Sequence, residues 1–359
     1  MKAHTIQELR QFQAMPLEVK VAMTKVRVRD WVNYYGEDGV YISFSGGKDS
    51  TVLLDIVREM YPNIPVVFVD TGLEYPEIRN FVKTFDNVTW LKPKKNFKQV
   101  VENYGYPLIS KEVSECVEGA KRYLLDLKTL GSNYRYFYEK LCGQGKYLPS
   151  KSNTERDLSL YSQVRWKFLL EAPFKISNKC CNIMKKEPAH RYGKETGRKP
   201  MLATMADESR LRTQKWLDNG CNGFEMKSPV STPMAFWKEQ DVLKYIKDKN
   251  LPICSVYGEI VVDYEKEGQL NGQIDYFDLG LCQDNRKLKT TGCQRTGCAF
   301  CMFGAHCEKA GEGRFERMKV THPQIYDFVM RSQDQGGLNY KEVIDWVNEN
   351  NGKGIIIRY

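Results

Sequence analysis

The sequence predicts an α/β fold built on a doubly wound parallel sheet, with an inserted helical region and a later cysteine-rich segment. Short apolar runs at 40–44, 66–69 and 88–91 have the length of buried parallel strands, and segments with helical periodicity separate them. A glycine-rich turn at residues 45–50 follows the first run directly. Because ligands of such sheets bind at the carboxyl ends of the strands, a binding site is expected at this turn.

The other elements follow from periodicity and from helix breakers. Apolar residues recur at helical spacing through residues 5–35, and Pro16 divides this segment into two helices. A later strand of the sheet is expected at residues 201–205. The remaining predicted helices lie at about 51–60, 76–85, 241–249, 323–331 and 340–349.

Three consecutive regions are predicted. Residues 1–35 form N-terminal helices, and residues 36–255 form the α/β domain that contains the glycine-rich turn. Residues 256–359 hold the cysteine-rich segment and the C-terminal helices. The α/β domain carries a helical insertion at about 110–170 that is rich in Tyr and Lys, whose aromatic rings either pack its helices together or stack on nucleic-acid bases.

Composition indicates a soluble globular protein. Of the 359 residues, 42% are hydrophobic, and the N-terminus lacks the apolar core of a signal peptide, so a cytoplasmic location without membrane contact is expected. The net charge of +9 suits an anionic partner such as a nucleotide, RNA or DNA. Eleven cysteines in such a chain argue against a disulfide framework.

The glycine-rich turn has the residue types of a phosphate-binding loop. Glycines let the backbone turn tightly and approach an anion, and the amides of the following helix point at that anion. Lys48, expected to be exposed in the cleft, supplies a positive charge. Asp49 either caps the helix or helps to hold Mg²⁺. The loop residues are Ser45, Gly46, Gly47, Lys48, Asp49 and Ser50.

Four cysteines crowd into fifteen residues and indicate a metal site: Cys293, Cys298, Cys301 and Cys307. Thiolates at this spacing reach one metal centre from a tight turn. With Zn²⁺, Cys307 supplies the fourth ligand. With an iron–sulfur cluster, a ligand comes from the distant Cys180 or Cys181.

The loop sequence Ser-Gly-Gly-x-Asp-Ser resembles the PP-loop of the N-type ATP pyrophosphatases. Four further segments narrow the resemblance to the phosphoadenosine phosphosulfate (PAPS) reductase family, and the likeness extends over about residues 25–305. The fold that it implies is the adenine nucleotide alpha-hydrolase-like fold. The four segments are 70–77 (Asp-Thr-Gly-Leu-Glu-Tyr-Pro-Glu), 179–188 (Lys-Cys-Cys, then Lys185 and Pro188), 207–212 (Asp-Glu-Ser-Arg-Leu-Arg) and 233–246 (with Trp237 and Asp241-Val242).

The resemblance also implies roles for individual residues. Lys48, Asp49 and Arg212 would act in catalysis. Nucleotide binding would involve the loop together with Asp70, Thr71, Gly72, Glu208 and Ser209. Adenylyl-sulfate reductases of this family pair a Cys-Cys with a later Cys-x-x-Cys around a 4Fe–4S cluster, and Cys180-Cys181 with Cys298 and Cys301 fit that pattern. Cys293 is an additional candidate here, so the set of four ligands is open. The ligands expected for the cluster, or alternatively for Zn²⁺, are Cys181, Cys293, Cys298 and Cys301, with Cys180 and Cys307 as further candidates.

Two departures from the family bear on the reaction. No cysteine follows Cys307 where sulfonucleotide reductases carry their catalytic thiol, and Met205 stands where an arginine is frequent. The resemblance therefore favours cleavage of ATP at the α-phosphate, which activates a substrate for sulfur chemistry with a nucleic acid or a sulfur-donor protein as partner. One alternative is a sulfonucleotide reductase that takes its thiol from Cys307, Cys282 or another protein. A further alternative is a nucleotide-binding regulatory module without turnover.

Overall fold

The computed structural model of the protein describes residues 4–125, 132–145, 163–263, 286–352 and 355–359. The chain folds into two compact units, each discontinuous in sequence. The first unit comprises Met1–Asp70, Glu74–Lys92 and Pro188–Gly297, and the second comprises Thr71–Leu73, Pro93–Glu187 and Cys298–Tyr359. The division into 1–35, 36–255 and 256–359 stays a prediction, and the compact units group the residues differently.

The described helices and strands have the following bounds. The strands are β1 (Val40–Ser43), β2 (Val66–Val69), β3 (Val88–Leu91), β4 (Leu108–Ile109), β5 (Lys199–Leu202), β6 (Asn222–Gly223), β7 (Val230–Ser231), β8 (Ile260–Val262), β9 (Leu288–Thr290) and β10 (Met302–Phe303). The α-helices are α1 (Ile6–Ala14), α2 (Leu17–Tyr35), α3 (Lys48–Met60), α4 (Pro76–Val82), α5 (Phe97–Tyr104), α6 (Lys111–Leu125), α7 (Ser132–Cys142), α8 (Glu187–Thr196), α9 (Arg210–Asn219), α10 (Glu239–Lys249), α11 (Arg314–Thr321), α12 (Pro323–Met330) and α13 (Tyr340–Asn350).

A six-stranded sheet organises the first unit, in the order β3-β2-β1-β5-β7-β6. All neighbouring pairs are parallel except β6 with β7. Ile42 of β1 lies opposite Val66 of β2 on one side and Met201 of β5 on the other, and all three side chains are buried. The predicted α/β class with a doubly wound parallel sheet is confirmed.

The strand order reverses at β1. The chain runs from β1 through β2 to β3 on one side and later returns to place β5 on the other side of β1. Ligands of open parallel sheets bind at such a reversal, outside the carboxyl ends of the strands. Residues 45–50 follow β1 and Asp70 follows β2, so both lie at this edge.

Most predicted elements occur within a few residues of their expected bounds. The segment 5–35 forms α1 and α2, which Pro16 separates. α3 begins at Lys48 rather than at residue 51, because Gly47 is extended (φ −83°, ψ 156°) and the chain is helical directly after it. β5 spans Lys199–Leu202 rather than 201–205.

The second unit is mainly helical in its described part. Within the predicted insertion the structure has α6 and α7, and residues 146–162 lie outside the described residues. An ion pair between Lys140 and Glu112 joins the two helices. The strands β4 and β10 form a separate parallel pair. The helices of the described segments are all too short or too polar to span a bilayer.

Candidate functional site

The loop after β1 has a backbone that requires glycine at its second position. Gly46 has φ +71°, and a Cβ there would lie 2.9 Å from the Cγ2 atoms of both Ile78 and Val82. α4 therefore packs directly against the loop. This close packing holds the turn between β1 and α3 in one conformation.

Hydrogen bonds inside the loop fix its two serines. The Ser50 hydroxyl donates to the Gly47 carbonyl at 2.8 Å and accepts from the Ser45 N–H at 3.2 Å. The Gly47 N–H donates to Ser45 Oγ at 3.3 Å. The result is a pre-formed turn at the N-terminus of the 13-residue helix α3, where backbone donors and the helix dipole favour an anion.

Lys48 is buried rather than exposed, so the expectation of an exposed cleft lysine is wrong. Its side chain is only 4% exposed, because α10 and the segment before Cys298 cover it. The ammonium lies 2.7 Å from the carbonyl oxygen of Gln294 and 2.9 Å from Glu239 Oε1. Its charge is thus already satisfied by two oxygens of the protein.

Asp49 lies among charges of both signs. Burial raises the pKa of its carboxyl group, and the carboxylate of Glu239 adds to this effect, whereas Lys48, Arg295 and Arg212 lower the pKa by smaller amounts. Its Oδ1 atom is buried and has no hydrogen-bond partner among the described residues. The site therefore holds an under-satisfied carboxylate oxygen beside three cationic side chains, which is an arrangement suited to a cation and a polyanion bound together.

The segment 208–212 brings Arg212 toward Asp49. Ser209 is the N-cap of α9 and accepts the Arg212 N–H at 3.3 Å. Glu208 forms an ion pair with the Arg212 guanidinium and accepts the Met205 N–H at 3.2 Å. Burial and the neighbouring Arg295 lower the pKa of Arg212. Glu208 and Ser209 thus position Arg212 in this structure.

The predicted residues after β2 divide between the two units. Asp70 is buried in the first unit and pairs with Arg79 of α4 at 2.9 Å. Thr71 and Gly72 belong to the second unit, where Thr71 Oγ1 accepts the Leu73 N–H at 3.1 Å. In the first unit the structure brings Lys48, Asp49 and Arg212 close to one another.

Four cysteines of the second unit line one small cavity: Cys180, Cys181, Cys298 and Cys301. The first two open a π-helical turn at Asn182–Lys186, an irregularity that is frequent at functional sites. The other two close a tight turn, in which the Cys301 N–H donates to the Cys298 carbonyl at 3.0 Å. The buried Tyr340 hydroxyl anchors this turn by donating to the Phe300 carbonyl at 2.8 Å.

The electrostatics of this cavity favour one thiolate. Cys180 donates to Cys181 across 4.0 Å, and this hydrogen bond lowers the pKa of Cys181 to about 6, helped by Lys111 and Lys185. The same bond, together with burial, raises the pKa of Cys180. Burial also raises the pKa of Cys301.

The other cysteine candidates are placed differently. Cys293 is a buried member of the first unit, whose N–H donates to the Val256 carbonyl at 2.9 Å. Cys307 is exposed, with its Sγ 3.2 Å from His306 Nε2, and Cys282 lies outside the described residues. In the described ranges, no three Cys, His, Asp or Glu side chains converge as they stand on a common metal position. The donor set of the cavity still suits the group, because four thiol side chains are the ligands that Zn²⁺ and iron–sulfur clusters take.

Several residues at the loop were not predicted from the sequence: Glu239, Tyr257, Gln294, Arg295 and Thr296. Glu239 lies inside the segment 233–246 that carries a resemblance, so that motif gave a signal for it. The other four have no sequence signal of their own. They reach the loop because β8 and β9 pair, which is a long-range contact.

Comparison with known proteins gives one extensive family match. The family model described as the phosphoadenosine phosphosulfate reductase domain matches residues 39–129 and 144–302, which is more than half of the chain. An adenosine 5'-phosphosulfate reductase of Staphylococcus epidermidis is 22% identical over 273 residues, covering 75% of this chain and 83% of that protein.

Two other similarities are shorter or weaker. An uncharacterized protein of Methanocaldococcus jannaschii is 36% identical over 107 residues, 26% of this chain and 25% of that protein, so the alignment spans a quarter of that relative. The crystal structure of PAPS reductase from Candida auris in a phosphate complex is similar with a TM-score of 0.36 and 14% identity, covering 82% of this chain and 98% of that one.

Proposed function

The chain belongs to the phosphoadenosine phosphosulfate reductase domain family, and from that premise we propose that it binds ATP at residues 45–50 and cleaves it at the α-phosphate. The observation that carries the proposal is the convergence of Lys48, Asp49 and Arg212 at the N-terminus of α3, where the sheet reverses. A lysine, an arginine and helix amides are the donors that a polyphosphate requires. The products are pyrophosphate and an adenylated substrate, which is then open to sulfur chemistry.

The chain's own residues would act by positioning and by charge. A substrate oxygen attacks the α-phosphorus, the bond from that phosphorus to the bridging oxygen breaks, and pyrophosphate leaves with that oxygen. Lys48 and Arg212 would neutralise the charge that develops on the leaving group. Mg²⁺ fits the orphaned Oδ1 of Asp49, which would hold it, and when bound it would shield the phosphate charges.

For the second unit, the proposed centre is a 4Fe–4S cluster held by Cys180, Cys181, Cys298 and Cys301, with Zn²⁺ as the alternative. These four line one cavity, which supports them over a set that includes Cys293. When bound, the cluster would supply electrons or a site for sulfur. Lys111 and Lys185 would balance the negative charge of the thiolates.

A sulfonucleotide reductase is the second candidate. It is favoured by the relative named adenosine 5'-phosphosulfate reductase, which aligns with three quarters of this chain. In this case an external thiol, or the exposed Cys307 beside His306, would attack the sulfur of the bound sulfonucleotide. The thiol then becomes bonded to sulfur, the nucleotide phosphate leaves, and a second thiol releases sulfite and forms a disulfide.

Product analysis of the anaerobically purified protein tests both candidates. We expect AMP and pyrophosphate from labelled ATP, with release stimulated by RNA, DNA or a sulfur-donor protein. The protein would instead be a sulfonucleotide reductase if it released sulfite from PAPS or adenylyl sulfate with a thiol donor and released no pyrophosphate from ATP. Nucleotide binding without either product would leave a regulatory module. Lys48→Met checks that any activity comes from this loop, because removal of one charged donor should weaken ATP binding about 10- to 100-fold.

Metal analysis tests the cysteine centre separately. We expect iron and sulfide in the wild-type protein, loss of both in Cys298→Ser, and retention in Cys293→Ser. Cys116→Ser is the matched control, because Cys116 is a buried cysteine of α6 that does not line the cavity. Stoichiometric zinc without sulfide would replace the cluster by a zinc site, and metal lost from Cys293→Ser would restore Cys293 to the ligand set.

A further inference from the structure

The donors of the loop that a phosphate would need are already occupied by oxygens of the first unit. The Lys48 ammonium contacts the Gln294 carbonyl and the Glu239 carboxylate, at 2.7 and 2.9 Å. The Lys48 N–H, at the start of α3, donates to the Tyr257 hydroxyl at 3.2 Å. One main-chain donor and one ammonium thus meet three protein acceptors at the point where an anion would bind.

These acceptors are built into the site. Burial raises the pKa of Tyr257 to about 12, so its hydroxyl is neutral and keeps a proton. The hydroxyl lies 2.5 Å from Thr296 Oγ1, and the Tyr257 ring is 5.5 Å from the Lys48 ammonium. A Cβ on Gly47 would stand only 3.2 Å from Tyr257 Oη and 3.4 Å from Thr296 Oγ1, so both groups lie directly on the loop.

Residues 294–296, here called the strap, follow β9 and are held by hydrogen bonds around the β8–β9 pair. The pairing of β8 with β9 continues as backbone hydrogen bonds from Gly292 to Tyr257 and from Cys293 to Val256. The Gln294 side chain donates to the Thr290 carbonyl at 2.7 Å. The strap and Tyr257 are therefore tied to the same β8–β9 ladder.

We infer that Glu239, Tyr257 and the carbonyl of Gln294 take the places of phosphate oxygens in this structure, so that the strap closes the loop until an anion displaces it. The inference rests on the proposed function, because it assigns these three groups as internal competitors at the same phosphate site. Glu239 offers a negative charge to Lys48, as a phosphate does. Tyr257 and Gln294 supply neutral oxygens, whose contacts are exchanged for charged ones when the ligand binds.

Removing a competitor should therefore strengthen anion binding. Apparent affinity is the intrinsic affinity multiplied by the fraction of molecules whose loop donors are open, so a variant that loses one competing acceptor binds more tightly. For Tyr257→Phe and Glu239→Gln we expect the Kd for magnesium-free pyrophosphate to fall about two- to tenfold, which corresponds to one net hydrogen bond. Thr296→Val removes only the hydrogen bond between Thr296 and the Tyr257 hydroxyl. Its Kd for pyrophosphate should also fall.

Titration calorimetry with magnesium-free sodium pyrophosphate is the measurement. Tyr245→Phe is the matched control for the tyrosine, because Tyr245 donates its hydroxyl to Asp55 and not to the loop. Glu59→Gln is the control for the carboxylate, since Glu59 pairs with Lys25 and Lys249. Both controls should bind like the wild type, and thermal unfolding of each variant checks that it is folded.

The outcomes separate the strap from the proposed function. If the wild type binds pyrophosphate and Tyr257→Phe and Glu239→Gln bind it equally or more weakly, these groups support the bound anion and the strap inference is overturned alone. If the wild type shows no binding but the variants do, the strap inference is supported in its strongest form. If no variant binds pyrophosphate or ATP, both the strap and the phosphate-binding loop are overturned.

Discussion

The pKa of the Asp49 carboxyl group is shifted in opposite directions by burial and by neighbouring cations. Burial raises its pKa, and the cations Lys48, Arg295 and Arg212 only partly offset this effect. Within the part of the chain that the structure describes, the buried Oδ1 atom lacks the hydrogen-bond partner that a structural role would have supplied. A residue that is costly to the apo protein in this way is typical of a ligand-binding position.

The stability of the protein should therefore depend on the ionisation of Asp49. Because its pKa is raised on folding, the protonated carboxyl contributes stability below the ordinary value of 3.8, and this contribution is lost as pH rises through the folded pKa. We expect Asp49→Asn to be more stable than the wild type by about 1 kcal/mol at pH 7. The difference should shrink toward pH 4 in urea unfolding across this range.

A mutant that is less stable at pH 7 would show that the three cations outweigh burial. Asp55→Asn is a suitable control, since Asp55 lies on the same helix and accepts a hydrogen bond from Tyr245. That variant loses a charged acceptor and is expected to be destabilised instead.

At the scale of elements, the contact of α4 with the loop decides the loop geometry. Ile78 and Val82 lie one turn apart on α4 and both face Gly46. Val82 is fully buried, so this contact leaves no space for a side chain at residue 46. The loop at residues 45–50 is thus shaped by a helix that follows the next strand.

Gly46→Ala should destabilise the protein and weaken pyrophosphate binding. Gly197→Ala is the matched control, because Gly197 also has a positive φ (+75°) but an added Cβ there meets no atom within 4 Å. Backbone strain alone should cost about 1–2 kcal/mol in the control. Overpacking should add roughly 1–3 kcal/mol at Gly46. If urea unfolding shows that both variants lose the same unfolding free energy, α4 shifts to accommodate the new Cβ without an energetic penalty.

At the scale of the whole molecule, the two compact units hold different groups of candidate site residues. Residues 45–50, Arg212 and the strap belong to the first unit, and the four cavity cysteines belong to the second. The chain passes between the units several times, between Asp70 and Thr71 and again between Gly297 and Cys298. Each unit is therefore assembled from segments that are distant in sequence.

Removal of the proposed metal centre should loosen the second unit selectively. Metal binding adds its free energy to the folding of the unit that supplies the ligands. After anaerobic chelation we expect faster hydrogen exchange in peptides from 111–125 and 340–350, and unchanged exchange in peptides from 48–60. Cys298→Ser should reproduce this pattern without chelator. Faster exchange in 48–60 as well would mean that the first unit also depends on the metal.

Many of the helices and strands depend on the local sequence alone and were therefore predictable. The strands at 40–43, 66–69 and 88–91 and the helices around Pro16 follow from apolar periodicity and from breakers that act within a few residues. The grouping of Lys48, Asp49 and Arg212 was implied by motifs rather than by spacing, because β1 and α9 are far apart in sequence. Burial of Lys48 was missed because Gln294 has no motif, and because the motif around Glu239 does not show which side chain Glu239 contacts.

The sequence by itself determined the α/β class, the strand–loop–helix at residues 45–50 and the family resemblance, because these depend on short-range patterns that no distant contact reverses. Only the tertiary structure decided which oxygens occupy Lys48 and which four cysteines share a cavity. Both depend on contacts between segments more than a hundred residues apart, such as Lys48 with Gln294. Such contacts follow from strand pairing and packing, which amino-acid periodicity does not encode.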